Sequence, residues 1–420
     1  MTEKLLHYLW QFQYFNRSQL LTAGGEPLQV ISTGRPNAHQ GPDFTDAKIK
    51  IGDTLFAGSV ELHYKASEWK KHGHETDPNY RNVVLHVVFE NDEALHNNIP
   101  VLELHPHIPK LMLERYEGLM HSTAFIACAS STASVRDLVW VAWKERLLAE
   151  RLTRKSDTIL ERLEQSRGHW EETFWWLLAR NFGYRVNADA FEAVARSLPV
   201  TLLARHKSSI HQLEALLLGQ AGLLEREGED PYVQLLRREY RFLQAKCGLK
   251  HILLPVHFLR MRPPNFPTVR LAQLAMLVHG STHLFSKVLE TDSLKEVRQW
   301  LDVTANDFWH YHYTLGEASG FRPKKLGAAM AENIIINTLV PVLFAYGRYH
   351  GEEGYKTKAL RWLEEAAAEE NAIISGFREL PVASRSAYDS QALLELKNEY
   401  CDHKRCLECS IGNSLLKQEL

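Results

Sequence analysis

Apolar residues near the start of the chain fall at helical spacing. Leu5, Leu9 and Phe12 share one side of residues 4–15, which predicts an amphipathic helix. The period then shortens to two. Leu28 to Ser32 reads as a short strand, and the turn-rich stretches Gly34-Arg35-Pro36-Asn37 and Gly41-Pro42 follow it. Ala47, Ile49 and Ile51 alternate with Lys48 and Lys50, the pattern of a strand with one buried face. Gly52-Asp53 suits a two-residue hairpin turn with glycine where positive φ is needed. The returning strand, about Thr54 to Lys65, places Phe56, Gly58, Val60, Leu62 and Tyr64 on one face and Ala57, Ser59, Glu61, His63 and Lys65 on the other. Ser67 can cap a short helix that Gly73 ends. The run from Val83 to Phe89 has the composition of a buried strand, and Val101 to Leu104 is a further candidate.

After about Ala133 the strand signal gives way to helical periodicity, over Val139 to Leu163, Glu171 to Asn181, Asp189 to Ser197, Gln212 to Leu224, Tyr232 to Ala245 and Leu360 to Ala368. No fixed repeat or low-complexity tract is present. The expected class is α+β: a small α/β domain over residues 1–128, a mainly helical region over 129–395 and a cysteine-rich tail over 396–420. A chain of 420 residues is long for a single core, and 45% hydrophobic with 24% charged residues is an ordinary globular composition. The formal net charge of -2 provides no global attraction for nucleic acid, so a nucleic-acid partner would need a local basic face. The start MTEKLLHYLWQFQYF is too polar for a signal sequence, and no uninterrupted apolar run reaches bilayer length, so no membrane partner is expected. With three of five cysteines crowded near the C-terminus rather than spaced as a disulfide framework, the expected location is cytoplasmic. Nothing in the pattern sets an oligomeric state.

Histidine changes the picture: there are 21, about half of them before Cys128. Glu61, His63 and Lys65 make one polar row on the returning strand, and Asp43 enters beside the neighbouring strand. Two carboxylates from adjacent strands can hold Mg²⁺ or Mn²⁺, with a cationic neighbour to polarise water or steady developing charge on a phosphate. Asp43 and Glu61 are therefore candidate metal ligands, and His63 and Lys65 candidate catalytic partners.

Pro42-Asp43 followed by Glu61-Leu62-His63, on a helix–strand–strand–strand–helix–strand order, resembles the restriction-endonuclease-like PD-(D/E)XK nuclease superfamily over about the first 125 residues. The resemblance implies a nuclease fold, metal binding by Asp43 and Glu61, and nucleic acid as partner. The sequence departs from that pattern at His63, where lysine is usual, and Lys65 comes two residues late. The polar row has a plainer reading as the solvated face of a hairpin.

His72, His74 and Asp77 form a second set, with His86 in the following strand, and such donors suit Zn²⁺, Mn²⁺ or Fe²⁺. A histidine in a buried strand is, however, ordinarily a hydrogen-bonded core residue. At the other end, Cys401, Cys406 and Cys409 follow a Cys-x4-Cys-x2-Cys spacing that needs one more ligand to hold zinc or an iron–sulfur cluster. His403 is the local candidate for it and Cys128 the distant one. Some nucleases of the superfamily resembled above join their ends through an iron–sulfur cluster with one distant cysteine and three near the C-terminus. In the helical region, Arg146, Arg151, Arg154 and Lys155, and then Arg260, Arg262 and Arg270, are the basic groups that could track a phosphate backbone, against a default of ion-paired helix faces.

Across nearly its full length the chain is also similar to domain-of-unknown-function family 2851. The likeness lies in Gly41-Pro42-Asp43-Phe44, Gly58-Ser59-Val60-Glu61-Leu62-His63, Trp69, His72, His74, Asp77, Tyr80, Val84-Leu85-His86-Val87-Val88, Asn181-Phe182-Gly183, Gly219-Gln220-Ala221-Gly222, Arg262-Pro263-Pro264-Asn265-Phe266-Pro267 and Cys406-Leu407-Glu408-Cys409-Ser410-Ile411-Gly412. Three functions follow as expectations: a metal-dependent nuclease, a non-catalytic nucleic-acid- or protein-binding scaffold, and a histidine-based metal enzyme acting on a small molecule.

Overall fold

A computed structural model describes residues 2–93, 98–225, 230–250, 252–258, 262–281 and 283–418. The chain forms two compact units, one of residues 1–143 with 396–420 and the other of residues 144–395. The expected boundary at 129 therefore moves to 143/144, inside helix α4 (Asp137–Gln165), which continues through it. The tail is not a separate module. Cys406 and Leu416 belong to the apolar core of the first unit, and Arg115 donates to the carbonyls of Leu415 and Gln418.

The first unit opens with α1 (Glu3–Phe12), then β1 (Leu28–Ser32), the short β2 (Arg35–Pro36), β3 (Phe44–Ile51), β4 (Thr54–Lys65), the single-turn α2 (Glu68–Lys71), β5 (Val83–Glu90), β6 (Val101–Glu103) and α3 (Lys110–His121). The strand order is β1-β3-β4-β5-β6, with β2 also paired to β3. β1, β3 and β4 are antiparallel, whereas β4–β5 and β5–β6 are parallel. The two-residue turn is as expected: Ile51 pairs with Thr54, and Gly52 has φ 56°.

One sheet face carries the main core. Val60, Leu62, Leu85 and Val87 pack with Leu5, Leu9 and Trp10 of α1 and Met112 and Tyr116 of α3. Truncating a fully buried leucine there, such as Leu9, would cost about 2–5 kcal/mol. The other face is not the open, solvated face that alternation alone would give. From Gly58 to His63 both faces of β4 are buried, because α2 brings Trp69, 2% exposed, over the histidine row.

The second unit is helical throughout its named elements, from the remainder of α4 to Ala387–Glu395. One helix, Ala328–His350, is long and apolar enough to cross a membrane by length and composition alone; two thirds of its most apolar window is packed inside the protein. Residues 335–339 of that helix form a π-helical segment just before Pro341.

Candidate metal centre on the polar face of the sheet

A bulge places Asp43. Phe44 pairs with Val60 and Ala47 with Gly58, so three residues of β3 span two of β4, and Asp46 takes up the difference at φ 59°. Without the extra residue, Asp43 would share the apolar face with Ala47. With it, Phe44 goes into the core and Asp43 turns to the Glu61 side. Gly34 permits the distortion, since a Cβ there would come within 2.5 Å of the Thr45 carbonyl oxygen.

Asp43 and Glu61 then interlock across the strand pair. The Asp43 N–H donates to Glu61 Oε2 at 3.0 Å, and the Leu62 N–H donates to Asp43 Oδ2 at 2.9 Å. His7, on α1, brings Nε2 to 3.3 Å from Asp43 Oδ2. Glu61 is 5% exposed. Its Oε1 lies 3.3 Å from His74 Nε2 and 3.6 Å from His63 Nε2. His63 in turn has His86 Nε2 at 2.9 Å from its Nδ1 and His72 Nδ1 at 3.1 Å from its Nε2. Among the described residues, two groups of three possible ligand atoms lie mutually within 4.8 Å: His63, His72 and His74, and Glu3, His7 and Asp43.

The electrostatics are those of a site short of positive charge. Burial, and then the Asp43 carboxylate, push the Glu61 carboxyl up to about 8. Burial and the neighbouring imidazoles take His63 down to about 2, while His86 falls to about 4, chiefly through burial. His74 is also lowered, by burial and by His72. Burial lowers His7 too, but the adjacent Asp43 outweighs it and leaves this one imidazole raised. His74 Nε2 and His86 Nδ1 are buried without a hydrogen bond, whereas His7 Nε2 is engaged by Asp43. Neutral imidazoles with free ring nitrogens beside a buried carboxylate fit a divalent cation, because metal ligation requires those same deprotonated forms.

Lys65 is not part of this convergence: its ion-pair partners are Glu90 at 3.5 Å and Asp92 at 4.0 Å. Asp77 offsets part of the lowering of His74, but its Oδ1 accepts from the Asn79 N–H and caps a 3₁₀ turn over Pro78–Tyr80, and its carboxylate is in neither ligand group. His7 and Glu3 were not legible as site residues, although their i, i+4 spacing on α1 lay in plain view.

The basic groups of the helical region are largely engaged internally. Arg151 and Arg154 meet Glu395 at 3.2 and 2.5 Å, Lys155 donates to Asn337 and Gln391, and Arg146 pairs with Glu150. Arg270 is buried and bonded to Gln273, Asn265 and Tyr184, which removes it as the wall of a basic groove. Arg262 is exposed, and Arg260 lies outside the described residues.

Over residues 3–372 the chain matches the profile of a family described as "Protein of unknown function (DUF2851)". No curated protein and no solved structure matches it.

Proposed function

We propose that this chain, which belongs to the DUF2851 family, is a metal-dependent hydrolase of phosphodiester bonds, nuclease-like in its first unit. The observation that carries the reading is the convergence of Asp43, Glu61 and three histidines on one partly covered face. The element order and the positions of Asp43, Glu61 and His63 also support the restriction-endonuclease-like resemblance. The imidazoles shift the preferred cation from Mg²⁺ toward Mn²⁺, Zn²⁺ or Fe²⁺.

A divalent cation held by Glu61, His63, His74 and His72 would supply a Lewis acid and a water of lowered pKa. The residues supply the rest. If His63 Nδ1 donates to His86, its Nε2 keeps a lone pair directed at Glu61, so His86 sets the tautomer of a ligand. Trp69 packs edge-on against His63 and excludes water from the inner side. His72 is exposed, so the ligand group opens to solvent and to substrate on its side. Asp43 orients the β4 backbone through the Leu62 N–H and adds negative charge beside Glu61.

The internal pairing of Arg151, Arg154 and Arg270 favours a second reading, in which the substrate is a small phosphodiester rather than a polymer. Both readings are tested by Mn²⁺-dependent cleavage of single- and double-stranded DNA and RNA and of bis(p-nitrophenyl) phosphate, with Asp43→Ala and Glu61→Ala as controls. Polymer cleavage lost in both variants supports the nuclease, and turnover of the small ester alone supports the second reading. Absence of metal binding overturns both.

A further inference from the structure

The first unit holds another convergent set of side chains, far from Glu61 in sequence and made of sulfur. Cys128 precedes a 3₁₀ turn over Ala129–Ser134 and packs against the main core. Cys401, Cys406 and Cys409 follow on the tail. Cys406 and Cys409 are buried, the other two are half-buried, and all four are free thiols. Cys406 sits in the main core, and Cys128 and Leu407 pack against that same core; in keeping with that placement, Cys128 is raised to about 12 by burial and by Cys409 and Cys406, and Cys401 is raised by burial and by Cys409, Cys128 and Cys406.

The backbone around them is built for close approach. A Cβ on Gly412 would lie 2.2 Å from the Cys406 carbonyl oxygen, so only glycine lets the helix Ser410–Lys417 press against the cysteine loop. The Ile411 and Gly412 amides at the start of that helix face the Cys409 sulfur and oppose the effect of its burial. Lys404, at φ 50°, turns the chain between Cys401 and Cys406, and its ammonium donates to the Met120 carbonyl, tying the loop to the end of α3. His403, the local alternative for a fourth ligand, is exposed, which leaves the role to Cys128.

We infer that Cys128, Cys401, Cys406 and Cys409 are the four ligands of an iron–sulfur cluster that fastens the C-terminal tail to the sheet unit. Four free thiols, two buried and two half-buried, make a donor set suited to a thiophilic metal, and each gives up its proton on binding. The choice of cluster over zinc rests on spacing. A tetrahedral zinc with Zn–S near 2.3 Å draws its sulfurs to about 3.8 Å from one another. Among the described residues, the groups that close to within 4.8 Å are those around His63 and Asp43 and not the cysteines. A multi-iron cluster spans more widely separated thiolates. The inference is independent of the hydrolase reading, because it concerns different residues and needs no activity.

The test uses the full chain purified without oxygen. Iron, acid-labile sulfide and zinc are quantified, and visible absorption is recorded before and after dithionite. The expected result is about two or about four irons per chain with an equal count of sulfide, and a visible charge-transfer band that bleaches on reduction. Cys128→Ser and Cys406→Ser should lose both. His403→Ala, and Cys247→Ser in the second unit, should keep both, which separates ligand loss from loss of any exposed histidine or any thiol. Should the cysteine variants fail to fold, reconstitution of the wild-type chain with ferrous iron and sulfide decides the matter. One zinc per chain without sulfide, or no metal after reconstitution, overturns the inference.

Discussion

Glu61 in the first unit and Glu192 in the second are buried alike, at 5% and 6% exposure, yet their surroundings are opposite. Burial alone would raise Glu192, but Arg162 grips both its oxygens at 3.2 Å, Arg196 reaches it at 2.6 Å and Arg180 at 3.0 Å, and together they pull it below the ordinary carboxylate value. Glu61 has no such partner: the groups around it are a second carboxylate and neutral imidazoles, and it rises to about 8. A buried carboxylate gripped by arginines is complete within its own fold. One surrounded by further lone pairs is costly to ionise until a cation arrives. The second unit repeats the first kind of solution with Glu395, while the first unit holds the second kind.

The largest effect that sharpens this contrast comes from removing the charge while keeping the shape. Glu61→Gln should weaken Mn²⁺ or Zn²⁺ binding by more than about 100-fold, since loss of a mere supporting partner of a ligand already costs about 10- to 100-fold. Asp43→Asn combined with Glu61→Gln should abolish it. Titration calorimetry checks both, and unaltered affinity would erase the distinction drawn between the units. Next in size, Glu192→Ala should destabilise the second unit by about 1.5–3 kcal/mol, because three partly exposed guanidinium groups lose the carboxylate they are bonded to, and it should leave metal affinity untouched. Denaturant unfolding followed alongside calorimetry measures the two together.

How much of this was readable beforehand differs between backbone and site. The β3–β4 hairpin followed from the alternation of Ala47, Ile49 and Ile51 and from Gly52. The partnership of Asp43 with Glu61 did not follow from alternation, which counted back from Ala47 would have sent Asp43 into the core. The bulge at Thr45-Asp46 reverses that, and one extra residue in a strand leaves no periodic trace. The burial of Glu61 and His63 depends on Trp69 arriving from α2, a tertiary event that a polar alternate face cannot announce. His86 was readable as a hydrogen-bonded core histidine, and its partner is His63. The arginines of α4 showed as ion-paired faces, while the distant partner Glu395 was out of reach of any local pattern.

A buried glutamate without any ion pair tests the contrast more gently. Glu214, fully buried, accepts from Tyr232 at 2.6 Å, Asn306 at 2.6 Å and Trp309 at 3.1 Å. Burial outweighs those donors and lifts it to about 7. A carboxyl raised in the folded state contributes stability that is complete below its unfolded value of 4.5 and is lost as pH rises through about 7. The loss amounts to about 3 kcal/mol. Glu214→Gln should flatten that part of the stability–pH curve of the second unit, and an unchanged curve would show the three donors already hold the charge.

The smallest effect is a slope, and it belongs to Glu61 itself. With its carboxyl at about 8 in the metal-free protein, binding a cation at lower pH must expel one proton from it. His63 and His86 add no slope near neutrality, since burial holds them neutral at about 2 and about 4. His7, raised beside Asp43, faces the neighbouring carboxylate rather than Glu61. Metal affinity should therefore grow about tenfold per pH unit, roughly 1.4 kcal/mol, and level off above about pH 8. The metal-free fold moves the other way: the raised carboxyl stabilises it fully below 4.5, and that contribution fades as pH rises through about 8. The gain in unfolding temperature on adding Mn²⁺ should consequently widen with pH in the wild type and stay level in Glu61→Gln. A slope that survives that substitution would assign the displaced proton to an imidazole of the two ligand groups rather than to Glu61.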